Sequence, residues 1–163
     1  MGAATRTSTA AGVAALESLD APGAQLGEQL LTAARALASS HQLLSVLADV
    51  GIPAEQRVAL VQRVFAGLDA QTRSVLAALA SGRWSEPVDL VAGVEEVGYR
   101  SLAASRSGEG LDSELFSVLQ TVGSDGRLEL ALGGQSSPVE ARLALVDTLL
   151  KDCLLYTSPS PRD

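Results

Sequence analysis

The chain has 163 residues, 47% hydrophobic but only 3% aromatic, so its core must be built from Ala, Leu and Val, which favours packed helices over aromatic-rich strands. Its formal net charge of −7 repels phosphate backbones and offers no basic stripe, which excludes nucleic acid as the expected partner. The single cysteine, Cys153, excludes an intramolecular disulfide, Met1 to Arg6 lacks the cationic-then-apolar layout of a signal peptide, and no stretch approaches the roughly 18 uninterrupted apolar residues of a membrane span, so a soluble, cytoplasmic protein is expected.

Helical punctuation runs through the chain. A first segment from about Ser8 to Leu19 places Val13, Leu16 and Leu19 on one face, and Asp20-Ala21-Pro22-Gly23 stops it. A second, from about Leu26 to Ser39, repeats apolar residues at Leu26, Leu30, Ala33, Ala34 and Leu37. Ser39-Ser40 offers caps for a short helix carrying Leu43, Leu44, Val46 and Leu47. Pro53 suits the first turn of a fourth helix, which runs through Val58, Val61, Val64 and Phe65. Asp69 is a good N-cap for a fifth holding Val75, Leu76 and Leu79 and ending at Gly82, and Ser85-Glu86-Pro87 opens a sixth. Six helices with short loops predict an all-α, six-helix bundle.

Residues 25–65 align without a gap onto 110–150, an offset of 85, with eleven identities in 41 positions. The Leu pairs Leu26/Leu111, Leu30/Leu115, Leu43/Leu128 and Leu47/Leu132 follow from helical periodicity alone. Periodicity does not explain Pro53/Pro138, Glu55/Glu140, Arg57/Arg142 or Ala59-Leu60-Val61 over Ala144-Leu145-Val146. Ser137, Pro138 and Glu140 make a capping box in the second copy, where the first has Ile52 in place of the Ser. The expected organisation is a bundle over 1–108, an interrupted second copy over 109–151, and a tail over 152–163. Two Ser-Pro steps in that tail forbid continued helix, and it reads as translated adapter sequence foreign to the fold, Cys153 included.

Chemistry is sparsely supplied. His41 is the only histidine, so a nucleophilic triad has one possible centre and no signature around it; as the first residue of a short helix it reads as a solvated or capping side chain. One His and one tail Cys cannot make a zinc site, and Lys151 follows no Gly-rich loop, so neither a metal, a cofactor nor a nucleotide is expected. Glu95 and Glu96 diverge by about 100° around a helix and read as a solvated face. Arg83-Trp84, with the only Trp, lies in a short loop, either closing the open end of the core or touching a partner.

Pro53-Ala54-Glu55-Gln56-Arg57 to Phe65, Leu76-Ala77-Ala78-Leu79-Ala80-Ser81-Gly82-Arg83-Trp84 and Pro87-Val88-Asp89-Leu90-Val91 resemble the N-terminal domain of F-type ATP synthase δ subunits, the oligomycin-sensitivity-conferring protein family. The likeness is closer to the long actinobacterial form with a duplicated helical domain, and it covers about residues 8–151. The resemblance implies a non-catalytic peripheral-stalk subunit on the cytoplasmic side of the membrane. In it the groove between the first and fifth helices receives an N-terminal helix of the α subunit, while a separate C-terminal domain meets the b-subunit stalk. Mapped here, that groove is lined by Val13, Leu16, Leu19, Leu76 and Leu79, with Arg83 and Trp84 beside it. The alternative that the same periodicity permits is a helical-repeat adaptor unrelated to ATP synthase.

Overall fold

The computed structural model describes residues 2–20, 23–105, 111–133 and 138–156, and every regular element among them is an α-helix. The chain divides into two compact units, Met1–Ser107 and Gly108–Asp163.

The first unit is the expected six-helix bundle: α1 Ala3–Glu17, α2 Ala24–Ser39, α3 His41–Ala48, α4 Ala54–Val64, α5 Ala70–Ser81 and α6 Pro87–Ser105. Its helices begin where the punctuation predicts, with two informative exceptions. α1 starts at Ala3, a turn before the expected Ser8, although its N-cap Gly2 makes no side-chain cap. The extra turn is held from outside: Thr5 Oγ1 donates to Asp89 Oδ2 at 2.6 Å and accepts from the Ser85 N–H at 3.2 Å, tying the start of α1 to the start of α6. Tertiary bonds replace the missing local signal.

The second exception is Asp69, which occupies the N-cap position of α5 but whose side chain makes no bond to its own helix. Its Oδ2 instead accepts from Gln29 Nε2 at 2.9 Å. Gln29 Oε1 accepts in turn from the Asp69 N–H at 3.0 Å and the Thr72 hydroxyl at 2.8 Å, so a residue of α2 caps α5. Ser40 behaves as its sequence predicts, its side chain accepting from the Leu43 N–H at the start of α3. Pro53 sits at the N-cap of α4 rather than in its first turn, within the usual uncertainty of a helix boundary.

α2 packs most extensively on α6, and α4 on α5, while α1 lies against both α5 and α6. Leu30, Leu37, Leu79 and Leu90 are among the fully buried side chains, each contributing about 2 kcal/mol of transfer free energy. Two glycines allow a close approach of α2 and α6. A Cβ on Gly27 of α2 would lie 2.8 Å from the Gly98 carbonyl oxygen of α6, so the backbones meet where neither residue has a side chain.

The second unit holds α7 Leu111–Ser124, α8 Gly126–Gly133 and α9 Val139–Tyr156. Their bounds repeat those of the first unit at the offset of 85: Ser39 and Ser124 end α2 and α7, His41 and Gly126 begin α3 and α8, Ala48 and Gly133 end them, and Ala54 and Val139 begin α4 and α9. α9 then continues through Tyr156, five residues beyond the expected stop at Lys151. Asp152-Cys153-Leu154-Leu155-Tyr156 contains neither Pro nor Gly, so nothing in it breaks a helix before the Ser-Pro steps. Residues 157–163 of the expected tail, and Ser137 of the expected capping box, lie outside the described residues, as do Ala21 and Pro22 of the first loop.

Candidate functional site

The α5–α6 loop is anchored to α1 and to the core of the first unit. Ser8 of α1 clamps the loop twice, its Oγ donating to the Arg83 carbonyl oxygen at 2.6 Å and accepting from the Arg83 N–H at 2.8 Å. The Trp84 indole turns inward beside Gly93, where a Cβ would collide with the ring, and Nε1 donates to the Leu79 carbonyl oxygen at 3.1 Å. Trp84 is buried and closes the end of the core. Arg83 beside it is exposed.

Beneath the loop, Arg57 is buried, with no carboxylate partner among the described residues. Its guanidinium donates to four carbonyls: Nη1 to Gly82 at 2.8 Å and Leu47 at 3.3 Å, Nη2 to Ser81 at 3.2 Å and Nε to Ile52 at 3.2 Å. Leu47, Ser81 and Gly82 lie at the C-terminal ends of α3 and α5, where orphan carbonyls and the helix dipoles favour a cation. The sequence carries Arg57 as an identity between the aligned segments and within the family-like stretch Pro53 to Phe65; its role as a clamp on two helix ends has no local signal.

The residues expected to line a groove between α1 and α5 divide sharply. Leu16, Leu76 and Leu79 are core residues, as is Trp84, while Val13 and Leu19 are half-buried against that core. The seam between α1 and α5 is closed at Gly12, where an added Cβ would lie 2.8 Å from Leu79 Cγ. An open trough runs instead between α1 and α6, lined by Arg6, Thr9, Val13 and Glu17 on one side and Glu96 and Arg100 on the other, with Ala10 and Ala14 between. Val13 is the one expected lining residue that it includes. Arg6, Ala10, Val13 and Glu17 recur at helical spacing on one face of α1; starting that helix at Ser8 removed Arg6 and hid the stripe.

The trough carries both signs of charge. Arg100 donates to Glu96 Oε1 through Nη2 at 2.9 Å and Nε at 3.2 Å, a pair across one helical turn. Small Ala side chains flanked by charges suit the ridge of a partner helix better than a small molecule. His41 is exposed at the start of α3. Among the described residues no group of His, Cys, Asp and Glu could hold a metal ion, and no helix is long and apolar enough to cross a membrane.

No protein-family profile matches the chain. Among known proteins it is similar to the "ATP synthase subunit delta" of Leifsonia xyli subsp. xyli, 38% identical over 152 residues that cover 92% of this chain and 58% of that one. It is likewise similar to proteins of the same name from Nocardia farcinica, 30% identical over 84% of this chain and 53% of the relative, and from Beutenbergia cavernae, 34% identical over 77% and 48%. The chain thus spans about half the length of the relatives it matches.

Proposed function

This chain belongs to the ATP synthase δ subunit family over most of its length, and from that premise we propose that it acts as a non-catalytic piece of the peripheral stalk. In that role it helps hold the α3β3 head to the b-subunit stalk against rotation during proton-driven ATP synthesis, on the cytoplasmic side of the membrane. The observation that carries the reading is the 38% identity across 152 residues. A bundle of helices with a buried arginine clamp suits a strut.

The first unit supplies the surface for an N-terminal helix of the α subunit. Val13 and Leu19 present apolar edges along α1, and Arg83 adds a charge at the exposed end of the α5–α6 loop. Leu16, Leu76, Leu79 and Trp84 act from beneath, fixing the shape that the partner meets. Contact with the b subunits belongs mainly to the part of the longer relatives outside this chain.

A fluorescein-labelled peptide of the α subunit N-terminal helix, titrated into the full chain and read by anisotropy, tests the reading. Saturable binding is expected, weakened tenfold or more by Val13→Asp with unchanged helix content. Absence of saturable binding to the folded chain would sink it.

A further inference from the structure

α1 is seated on the first unit by a different kind of contact from its neighbours. Its buried face is Thr5, Ser8, Thr9, Gly12 and Leu16, so one large apolar side chain enters the core, with Val13 half-buried beside it. α2 buries Leu26, Leu30 and Leu37, and α6 buries Leu90, Val91, Val94 and Val97. The remaining hold of α1 is polar and lies at one end. Thr5 bonds Asp89 and the Ser85 N–H, and Ser8 bonds Arg83 twice, which ties the start of α1 to the α5–α6 loop and to the first turn of α6.

The two kinds of contact differ in what their release costs. Apolar surface returned to water forfeits its whole transfer free energy, whereas a hydroxyl or amide that leaves its partner bonds water instead and loses little net. Thr9 adds a contribution of the opposite sign. Its Oγ1 is buried with no hydrogen-bond partner among the described residues, and it faces Gly93 of α6, where an added Cβ would lie 3.4 Å from it. A hydroxyl desolvated without a partner disfavours the docked helix and regains its bonds in water when α1 lifts. Once lifted, α1 melts. It has 15 residues, includes Thr5, Thr7, Ser8, Thr9, Gly12 and Val13, and is marginal as an isolated helix.

We propose that α1 is a strap across the α5–α6 end of the core, which docks and lifts as one unit while α2–α6 stay folded. Lifting uncovers Leu79 and Val97, against which Gly12 is packed, and frees the loop that carries Trp84. The strap thereby gates an apolar surface that the closed bundle hides. Two amides outside α1 report its position. The Arg83 N–H donates to Ser8 Oγ and the Ser85 N–H to Thr5 Oγ1, so both lose their acceptors when α1 leaves. This inference rests on the packing of the first unit and is independent of the partner proposed for it.

The test is residue-resolved hydrogen exchange on the full chain by nuclear magnetic resonance, under conditions where reclosing outpaces exchange and rates read the open population. Amides of residues 13–16, Arg83 and Ser85 should share one protection factor, at least tenfold below those of Leu30 in α2 and Val94 in α6. Ser8→Ala should lower that factor at residues 13–16 and at Ser85 at least fivefold. Thr9→Val, which keeps the shape of the side chain and removes the orphan hydroxyl, should raise it at least fivefold. Protection at residues 13–16 equal to that of Leu30 and Val94 overturns the proposal, because α1 then opens only with the whole bundle. So does loss of protection at residues 13–16 with Arg83 and Ser85 still as protected as Leu30, which would mean that α1 melts without releasing the loop. Unchanged or lowered protection in Thr9→Val overturns it as well.

Discussion

Arg57 Nη1 lies 2.8 Å from the Gly82 carbonyl oxygen, joining the first turn of α4 to the C-cap of α5 across twenty-five residues. A buried guanidinium normally pairs with a carboxylate; here four carbonyls share the charge. Arg57→Ala removes the cation and orphans those four acceptors together, so a loss of about 3–5 kcal/mol in unfolding free energy is expected. Arg57→Lys keeps the charge but not the planar fork, and should lose about 2 kcal/mol. Urea titration followed by circular dichroism checks both. A Lys variant as stable as the parent would mean that charge alone holds the site.

Thr5 and Asp89 offer a second, separable measurement. The hydroxyl is fully buried, donates to the carboxylate and accepts from the Ser85 N–H, so Thr5→Val should cost about 1–2 kcal/mol. Asp89→Asn removes only one side of the interaction. A double-mutant cycle should give a coupling of about 0.5–1.5 kcal/mol; additive effects would mean that the 2.6 Å bond contributes nothing in solution.

Gly27→Ala sets two effects against each other. Ala improves helix propensity by about 1 kcal/mol, but its Cβ would meet the Gly98 carbonyl oxygen, a backbone atom that cannot rotate away. Overpacking costs about 1–3 kcal/mol, so net destabilisation is expected. Gly67→Ala, where nothing lies within 4 Å of the added Cβ, is the control and should be nearly neutral. Equal thermal midpoints for the two variants would refute the close α2–α6 crossing.

The helices were legible because Leu26, Leu30 and Leu37 keep a 3.6 period between loops rich in Gly, Pro and Ser, and local signals suffice for that. Pro53/Pro138 and Arg57/Arg142 carry the expected repeat in the sequence, and four helix bounds, Ser39/Ser124, His41/Gly126, Ala48/Gly133 and Ala54/Val139, share its offset. Which residues of the expected groove stay at the surface was not legible. Leu16, Leu76 and Leu79 look the same in sequence whether an apolar stripe faces a partner or its own core, and only packing separates the two. The α1–α6 trough has no local signal for a related reason: its first residue, Arg6, lies in a turn stabilised by Thr5, Ser85 and Asp89, residues about eighty positions apart. The cap of α5 by Gln29 is likewise non-local, so Asp69 was the natural expectation.

The contrast between the units predicts how the chain unfolds. The only tryptophan, Trp84, is buried in the first unit, so its fluorescence reports that unit alone, whereas circular dichroism reports both. The first unit buries a continuous core from α1 to α6; in the second, none of the residues whose burial is described is buried, and α7, α8 and α9 make fewer contacts with one another. Isolated helices shorter than about 12–15 residues are marginal in water, and α8 has eight. Local opening should therefore cost far less in the second unit. In urea, helix content should begin to fall before Trp84 fluorescence changes, and amides of α7 and α9 should exchange at least a hundredfold faster than those of α2 and α6. Coincident transitions by both probes would show that the two units unfold as one cooperative body.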